Sequence, residues 1–157
     1  MKIIVLAGGY SPERDVSLSS GSLIANALME RGHEVFFLDP WLGIKAGERV
    51  HYRTREEGLG FAYEIGGEAP DLELLGAETG AKKSLIGPGV LEACREADMV
   101  FIALHGSTGE NGQIQAVLEA YGIPHTGSGY MGSLLAMDKN ISKILMRAAG
   151  VATPDWY

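Results

Sequence analysis

The sequence predicts an α/β fold of three layers, in which helices cover both faces of a parallel β-sheet. Residues 3–7 form a short apolar run that ends at two glycines, and residues 34–39 form a second, largely apolar run that ends at Pro40. The segment between them has helical periodicity, which predicts a βαβ unit with a right-handed crossover. A further apolar run at residues 98–104 predicts another buried parallel strand.

Composition limits the class of protein. The 157 residues suffice for one compact domain, or for one domain and a fragment of a second. A formal net charge of −7 argues against general nucleic-acid binding, which requires clustered basic side chains. The single cysteine, Cys94, excludes an intrachain disulfide framework, and no segment approaches about eighteen consecutive apolar residues. We therefore expect a cytoplasmic protein without nucleic-acid or membrane partners.

The first helix is predicted to begin at Ser11-Pro12-Glu13-Arg14. Ser can cap a helix, Pro suits the first helical position, and Glu complements the positive end of the helix dipole. Gly32 is predicted to end the helix in a left-handed conformation. The face that packs on the sheet is predicted from residues at helical spacing, namely Val16, Ser20, Leu23, Ile24, Ala27 and Leu28.

The middle of the chain has no long periodic stretch, and residues 41–90 contain ten of the 22 glycines. Two roughly alternating segments, 48–52 and 60–65, predict hairpin strands, and we interpret this region as an embellishment on the domain. The next prediction is a helix from Pro88 to Ala97, in which Cys94 is a packed side chain rather than a nucleophile.

The last third of the chain predicts helices separated by glycine-rich turns. A loop at residues 106–112 leads into a helix that closes at Gly122, and a turn-rich segment covers residues 124–129. Two helices are predicted at 131–137 and 138–149. Residues 151–157 resemble the start of a strand, from which we expect that the sequence stops within a domain.

Two glycine patterns in this region are weak nucleotide-binding motifs. Residues 127–132 match G-x-G-x-x-G, but no long strand precedes them and no acidic residue follows at the spacing of a dinucleotide site. A tight turn is therefore the favoured interpretation. The loop at 106–112 lacks the Gly-Lys-Ser/Thr ending, which excludes a Walker A motif.

Polar residues at the ends of two predicted strands are the candidate site, because open α/β sheets bind ligands beyond the carboxyl ends of their strands. Glu13 follows the first strand, and His105 and Glu110 follow the later one. Taken singly, Glu13 is more often a dipole-complementing residue, and His105 is as often a structural histidine as a site residue. Together they predict recognition of a small molecule that carries an ammonium group. The four histidines are not closely paired, so no metal ligands are predicted.

Four segments resemble, in order, the signatures of D-alanine–D-alanine ligases. They are Gly8-Gly9-Tyr10-Ser11-Pro12-Glu13-Arg14-Asp15-Val16-Ser17, Leu104-His105-Gly106 with Gly109-Glu110-Asn111-Gly112, Thr126-Gly127-Ser128-Gly129, and Met137-Asp138-Lys139. The resemblance is close over 1–40 and 98–157 and poor over 41–97. It implies a pre-ATP-grasp, Rossmann-like domain over 1–137, with 41–97 as a variable embellishment. Residues 138–157 would begin an incomplete ATP-grasp domain.

The resemblance also implies a reaction, the ATP-dependent ligation of two D-alanines to D-alanyl-D-alanine for peptidoglycan synthesis. One D-alanine carboxylate is phosphorylated, and the amine of the second D-alanine attacks the acyl phosphate. Glu13 and His105 match the family's catalytic residues, with Glu13 binding the ammonium of the first D-alanine. The matching substrate-binding and cofactor-binding positions are Val16, Ser17 and Gly106 for substrate and Lys139 for the ATP phosphates. Without the resemblance, Lys139 would be interpreted as a solvated helix residue.

The family's second half supplies the Mg²⁺ ligands and the rest of the ATP cleft, and these 157 residues do not contain it. We therefore expect no metal ligands in this chain and no ligase activity from the isolated polypeptide. The resemblance further implies a homodimer formed through the amino-terminal domain. The alternative function is a stand-alone, non-catalytic module of the same fold that binds an amino acid or serves assembly.

Overall fold

The computed structural model describes residues 1–156 and has a parallel sheet of three strands at its centre. The strands are β1 (Lys2–Leu6), β2 (Glu34–Leu38) and β3 (Met99–Ile102), in the spatial order β2-β1-β3. Ile4 of β1 is in register with Phe36 of β2 and with Val100 of β3. The α/β class and the parallel sheet predicted from the sequence are confirmed.

Helices cover both faces of this sheet. Successive side chains of β1 point to opposite faces, so Ile4 and Leu6 belong to one apolar cluster and Val5 and Ala7 to another. The first cluster packs against α3 and α5, and the second packs against α1, which gives the three predicted layers. The helices are α1 (Arg14–Glu30), α2 (Leu72–Thr79), α3 (Val90–Glu96), α4 (Ser107–Glu110), α5 (Gln113–Ala120), α6 (Tyr130–Met137) and α7 (Lys139–Ala148).

The buried face of α1 differs from the predicted one. Val16 and Leu23, predicted to face the sheet, are exposed, and the buried positions are small residues for the most part: Ser17, Leu18, Gly21, Ser22, Ala25 and Met29. The reason is close packing, since a Cβ on Gly21 would lie 2.6 Å from the Cβ of Ala7 in β1. Small residues therefore make the closest approach to the sheet, and Ile24 and Leu28, which were also predicted to face it, pack partly buried against the same cluster. Gly32 ends the helix with φ +81°, as predicted.

The hairpins predicted within residues 41–97 are wrong. Residues 48–52 and 60–65 form no named strands, and Arg53 makes only an isolated antiparallel bridge to Val35. A short 3₁₀ turn (Arg55–Glu57) and helix α2 take their place, and neither was predicted. The region is organised around Trp41, which is 1% exposed and whose Nε1 donates a hydrogen bond to the carbonyl of Lys82 at 2.9 Å.

Helices α5, α6 and α7 lie close to their predicted bounds, whereas α4 is a short helix within the segment predicted as a loop at 106–112. Asp138 caps α7 by accepting a hydrogen bond from the amide of Ile141 at 3.0 Å. The strand predicted at 151–157 does not form over the described part of that segment, and Tyr157 lies outside it. Instead, Trp156 Nε1 donates to Asn140 Oδ1 at 2.7 Å, and the ring lies under the Arg147 guanidinium. None of the helices within residues 1–156 is long and apolar enough to cross a membrane.

Candidate functional site

A cavity of about 170 Å³ lies where the carboxyl ends of β1 and β3 meet. Its walls are residues 8–11 after β1, 104–105 and 108–109 after β3, and 83–85 from the middle of the chain, together with Pro40. The location is the one expected for a ligand of a parallel sheet. Because the loops come from strands that neighbour each other in the sheet, residues far apart in the sequence face the same space.

Ser17 joins the two strand ends from behind the cavity. Its hydroxyl accepts a hydrogen bond from the amide of Gly8 at 2.8 Å and donates one to the carbonyl of Ala103 at 2.7 Å. The side chain is fully buried, and both of these bonds lie within the core. The geometry therefore gives Ser17 a supporting position beneath the cavity.

Gly106 allows the loop after β3 to pass against the start of α1. Its φ is +74°, which favours glycine, and a Cβ there would lie 2.6 Å from Ser11 Oγ and 3.5 Å from Glu13 Cδ. Any side chain at this position would push the two loops apart. The close approach brings the Glu13 carboxylate beside the His105-Gly106 segment.

The side chains of Glu13, His105 and Glu110 form the polar centre of the site. Each offers one nitrogen or oxygen atom, and these atoms lie within 4.8 Å of one another. His105 is half-buried, and its Nε2 lies 3.0 Å from the hydroxyl of Ser20, which orients the imidazole ring. Glu13 is the residue that precedes α1, yet its carboxylate caps none of the described helix amides and is free for a ligand.

Two carboxylates beside an imidazole can bind a positively charged group. An ammonium ion would donate charge-assisted hydrogen bonds to Glu13 and Glu110, and a divalent transition metal that accepts imidazole could use the same three side chains. The sequence predicted no metal ligands in this chain, and the structure brings three potential ligand groups together. The sequence placed these three residues at strand ends, but the prediction of no metal ligands rested only on the spacing of the histidines, and it therefore did not consider the two carboxylates as ligands beside His105.

The remaining predicted site residues lie apart from this centre. Val16 is 43% exposed on α1, and Lys139 is an exposed residue of the first turn of α7, with its Nζ 3.4 Å from the carbonyl of Ala136. A second cavity, of about 500 Å³, separates the loop of Glu110 from α6 and is lined by Met137 on the α6 side. The structure therefore brings Glu13, His105 and Gly106 together, and Lys139 is not among the residues that line either of these two cavities.

Several residues that line the cavity were not predicted as site residues from the sequence. Tyr10, Lys83 and Leu85 line the cavity, and the Lys83 ammonium lies 5.1 Å from the centroid of the Tyr10 ring. Lys83 and Leu85 belong to the region interpreted only as an embellishment. Ser20, the partner of His105, lies two helical turns after Glu13, and this i, i+7 spacing was the one available indication.

Cys94 is a core residue of α3, as predicted. Burial raises the pKa of the Cys94 thiol to about 12, and the side chain packs with Val90, Val100 and Leu118. We expect alkylation by iodoacetamide at pH 8 to be at least about a thousandfold slower in the folded protein than in urea, because the thiolate fraction falls tenfold for each pKa unit.

The raised pKa of the Cys94 thiol also makes the stability of the fold depend on pH in the alkaline range. The folded state holds the thiol proton more tightly than the unfolded chain, so the free energy of unfolding should fall as pH rises from about 9 towards 12. A Cys94→Ser variant measured in parallel controls for other groups that titrate in this range. Rapid alkylation of folded protein would show that the thiol is accessible.

Comparisons with known proteins agree on one family. Residues 2–128 match the family described as D-ala D-ala ligase N-terminus. The D-alanine–D-alanine ligase of Pediococcus pentosaceus is 44% identical over 158 residues, which cover 98% of this chain and 44% of that protein. The D-alanine–D-alanine ligase of Lacticaseibacillus casei is 39% identical over 163 residues, which cover 98% of this chain and 43% of that protein.

Solved structures give the same result. The D-alanine–D-alanine ligase of Bacillus anthracis complexed with ATP superimposes with a TM-score of 0.64 at 28% identity, over 100% of this chain and 40% of that one. The ligase of Coxiella burnetii gives a TM-score of 0.62 at 29% identity, over 100% of this chain and 44% of that one. The chain thus spans less than half the length of the relatives that it matches.

Proposed function

The chain belongs to the D-alanine–D-alanine ligase family, as its amino-terminal domain, and we propose that it supplies the site for the first D-alanine in an ATP-dependent, cytoplasmic ligase. The product would be the D-alanyl-D-alanine dipeptide used in peptidoglycan synthesis. The observation that supports this proposal is the grouping of Glu13, His105 and Glu110 within 4.8 Å at the ends of β1 and β3.

The charges of the site suit the ammonium end of an amino acid. The amino terminus of α1 carries a partial positive charge, which alone would attract a carboxylate and repel an ammonium group. Glu13 reverses that local sign, and Glu110 adds a second negative charge on the opposite loop. We assign Glu13 to the substrate ammonium and His105 to the adjacent wall, where its bond to Ser20 holds the ring in place.

The other predicted substrate residues support these two. Ser17 ties Gly8 to Ala103 and so fixes the distance between the loops that carry Glu13 and His105. Gly106 permits the close passage of those loops. Val16 stands exposed on the first turns of α1 and is available to a substrate or to another part of the protein. These residues shape the site, and the carboxylates of Glu13 and Glu110 provide its negative charge.

ATP would be held in part by Lys139. The residue is exposed, it begins α7, and its Nζ makes only a long contact of 3.4 Å to the Ala136 carbonyl, so the ammonium group is free to meet phosphate oxygens. Bound ATP would supply the phosphoryl group that activates the D-alanine carboxylate. In this proposal Lys139 neutralises phosphate charge, and Glu13 holds the substrate for the phosphoryl transfer.

Mg²⁺ does not fit the described residues. The one group of three potential ligands found among residues 1–156 contains an imidazole, whereas Mg²⁺ takes oxygen ligands in near-octahedral geometry. This group is assigned to the substrate ammonium. The homodimer implied by the family is also a proposal, and sedimentation of the protein over a range of concentrations would test it.

The test of the proposed function is an assay of the complete protein for D-alanyl-D-alanine, ADP and phosphate. We expect ATP- and D-alanine-dependent product, and a Lys139→Ala variant should raise the Michaelis constant for ATP by about tenfold, the value of one lost charge-assisted bond. Lys45→Ala, which removes an exposed lysine near Trp41, is the matched control. Binding of D-alanine without any product from the complete protein would instead favour the non-catalytic module.

A further inference from the structure

We propose that the buried ion pair between Arg14 and Asp39 is the positioning device of the substrate site. It fixes the loop after β1, and through that loop it fixes the carboxylate of Glu13. The inference rests on the proposed function, because it concerns the site assigned there to the first D-alanine. Neither residue contacts the substrate in this proposal, and both act through Glu13 and through the cavity walls.

Arg14 is the first residue of α1 and directly follows Glu13, yet its side chain points into the protein. That side chain is 7% exposed, and its Nη1 forms an ion pair with Asp39 Oδ2. The same Nη1 donates a hydrogen bond to the carbonyl of Gly9 at 3.1 Å. The guanidinium carbon also lies 5.6 Å from the centroid of the Trp41 ring. An arginine buried in this way at a helix start fixes the position of its neighbour Glu13.

Asp39, which follows β2, also holds the loop after β1. Its Oδ1 accepts hydrogen bonds from the amides of Gly9 at 3.3 Å, Trp41 at 2.8 Å and Leu42 at 3.1 Å. The amide of Gly9 is thus held by Asp39, while the carbonyl of the same residue is held by Arg14. A Cβ on Gly8 would overlap Asp39 Oδ2, so the pair lies directly against the loop.

The turn at residues 39–42, which contains Asp39, also holds a second wall of the cavity in place. Trp41 Nε1 donates to the carbonyl of Lys82 at 2.9 Å, and the amide of Gly87 donates to the carbonyl of Pro40 at 2.6 Å. These bonds attach the segment 83–85, which lines the cavity, to the residues that follow Asp39. The ion pair therefore joins three loops: the loop of Glu13, the turn at 39–42 and the wall at 83–85.

The burial of this ion pair is better explained by the position that it gives the Glu13 loop than by a contribution to the free energy of folding. A buried ion pair seldom stabilises a fold more than apolar residues of similar volume, because desolvation offsets the attraction between the charges. Small displacements of a substrate-holding group, in contrast, have large effects on turnover. A neutral replacement of similar shape should therefore spare the fold and impair the site.

The experiment uses the double variant Arg14→Met/Asp39→Asn in the complete protein. It removes both charges together, leaves no unpaired buried charge, and keeps an oxygen that can accept from the amides of Trp41 and Leu42. We expect the Michaelis constant for the first D-alanine to rise about tenfold or more, with the constant for ATP unchanged. We also expect faster hydrogen exchange at the Gly9 amide. Arg14→Lys keeps the charge but not the planar guanidinium, and its Michaelis constant for the first D-alanine should lie between those of the double variant and wild type. This single variant replaces the double variant if the double variant fails to fold.

Leu118→Ala is the stability control, since Leu118 is a core residue of α5 and lies away from this loop. It should lower the melting temperature and leave the D-alanine constant unchanged. If the folded double variant Arg14→Met/Asp39→Asn left the Michaelis constant for the first D-alanine unchanged, the proposal would be overturned. An equal rise of that constant in Leu118→Ala would also overturn it. Wild-type protein that shows no use of D-alanine would contradict the proposed function instead. In that case, Gly9 exchange alone decides whether the pair fixes the loop.

Discussion

Replacing Glu13 with Gln in the complete protein is expected to weaken binding of the first D-alanine by about ten- to a hundredfold. The substitution keeps the size of the side chain and one acceptor oxygen, and it removes the negative charge. Charge-assisted hydrogen bonds are about twice as strong as neutral ones, and the positive end of α1 would then face the substrate ammonium without the nearby charge of Glu13. Binding of ATP should be nearly unchanged, because Glu13 and Lys139 lie on different elements.

The measurement is the set of Michaelis constants for each D-alanine site and for ATP. Glu30→Gln is the matched control, since Glu30 is an exposed carboxylate at the opposite end of the same helix. If Glu13→Gln changed only the constant for ATP, or left the first D-alanine site unaffected, the role assigned to Glu13 would be wrong. Its side chain would then merely complement the helix dipole.

Replacing Gly21 with Ala is expected to lower the free energy of unfolding by about 1–3 kcal/mol. Helix propensity alone predicts the opposite sign, since alanine is favoured over glycine within a helix by about 0.5–1 kcal/mol. The steric term dominates because the new Cβ would lie 2.6 Å from the Cβ of Ala7 and 3.1 Å from the ring of Phe37. Helix α1 would have to move away from the sheet, and Glu13 would move with it.

Gly132→Ala provides the matched comparison. Gly132 lies within α6, and a Cβ there would have its nearest neighbour, Ser128 Cβ, at an ordinary contact distance of 3.7 Å. We expect this variant to match or slightly exceed the stability of wild type in urea denaturation. If Gly21→Ala raised stability as Gly132→Ala is expected to do, helix propensity rather than packing against β1 would control Gly21.

The prediction of helix and strand bounds was accurate wherever apolar spacing repeats or a glycine ends an element. The three strands, the end of α1 at Gly32 and the capping of α7 by Asp138 are local properties, determined by a few neighbouring residues. The region around Trp41 was predicted wrongly. The hydrogen bond from Trp41 to Lys82 that organises it spans 41 residues, and no local pattern encodes it.

The sequence by itself determined the α/β class, the family, and the presence of Glu13 and His105 on strand-end loops. These conclusions depend on residue types and on spacing along the chain, both of which are printed in the sequence. Only the tertiary structure decided that Glu110 joins that pair, that Ser17 lies behind the cavity, and that Arg14 meets Asp39. Each of these facts depends on how closely α1 and the loops approach the sheet. That distance is set by packing between small side chains such as Gly21 and Ala7, which carry no periodic signal of their own.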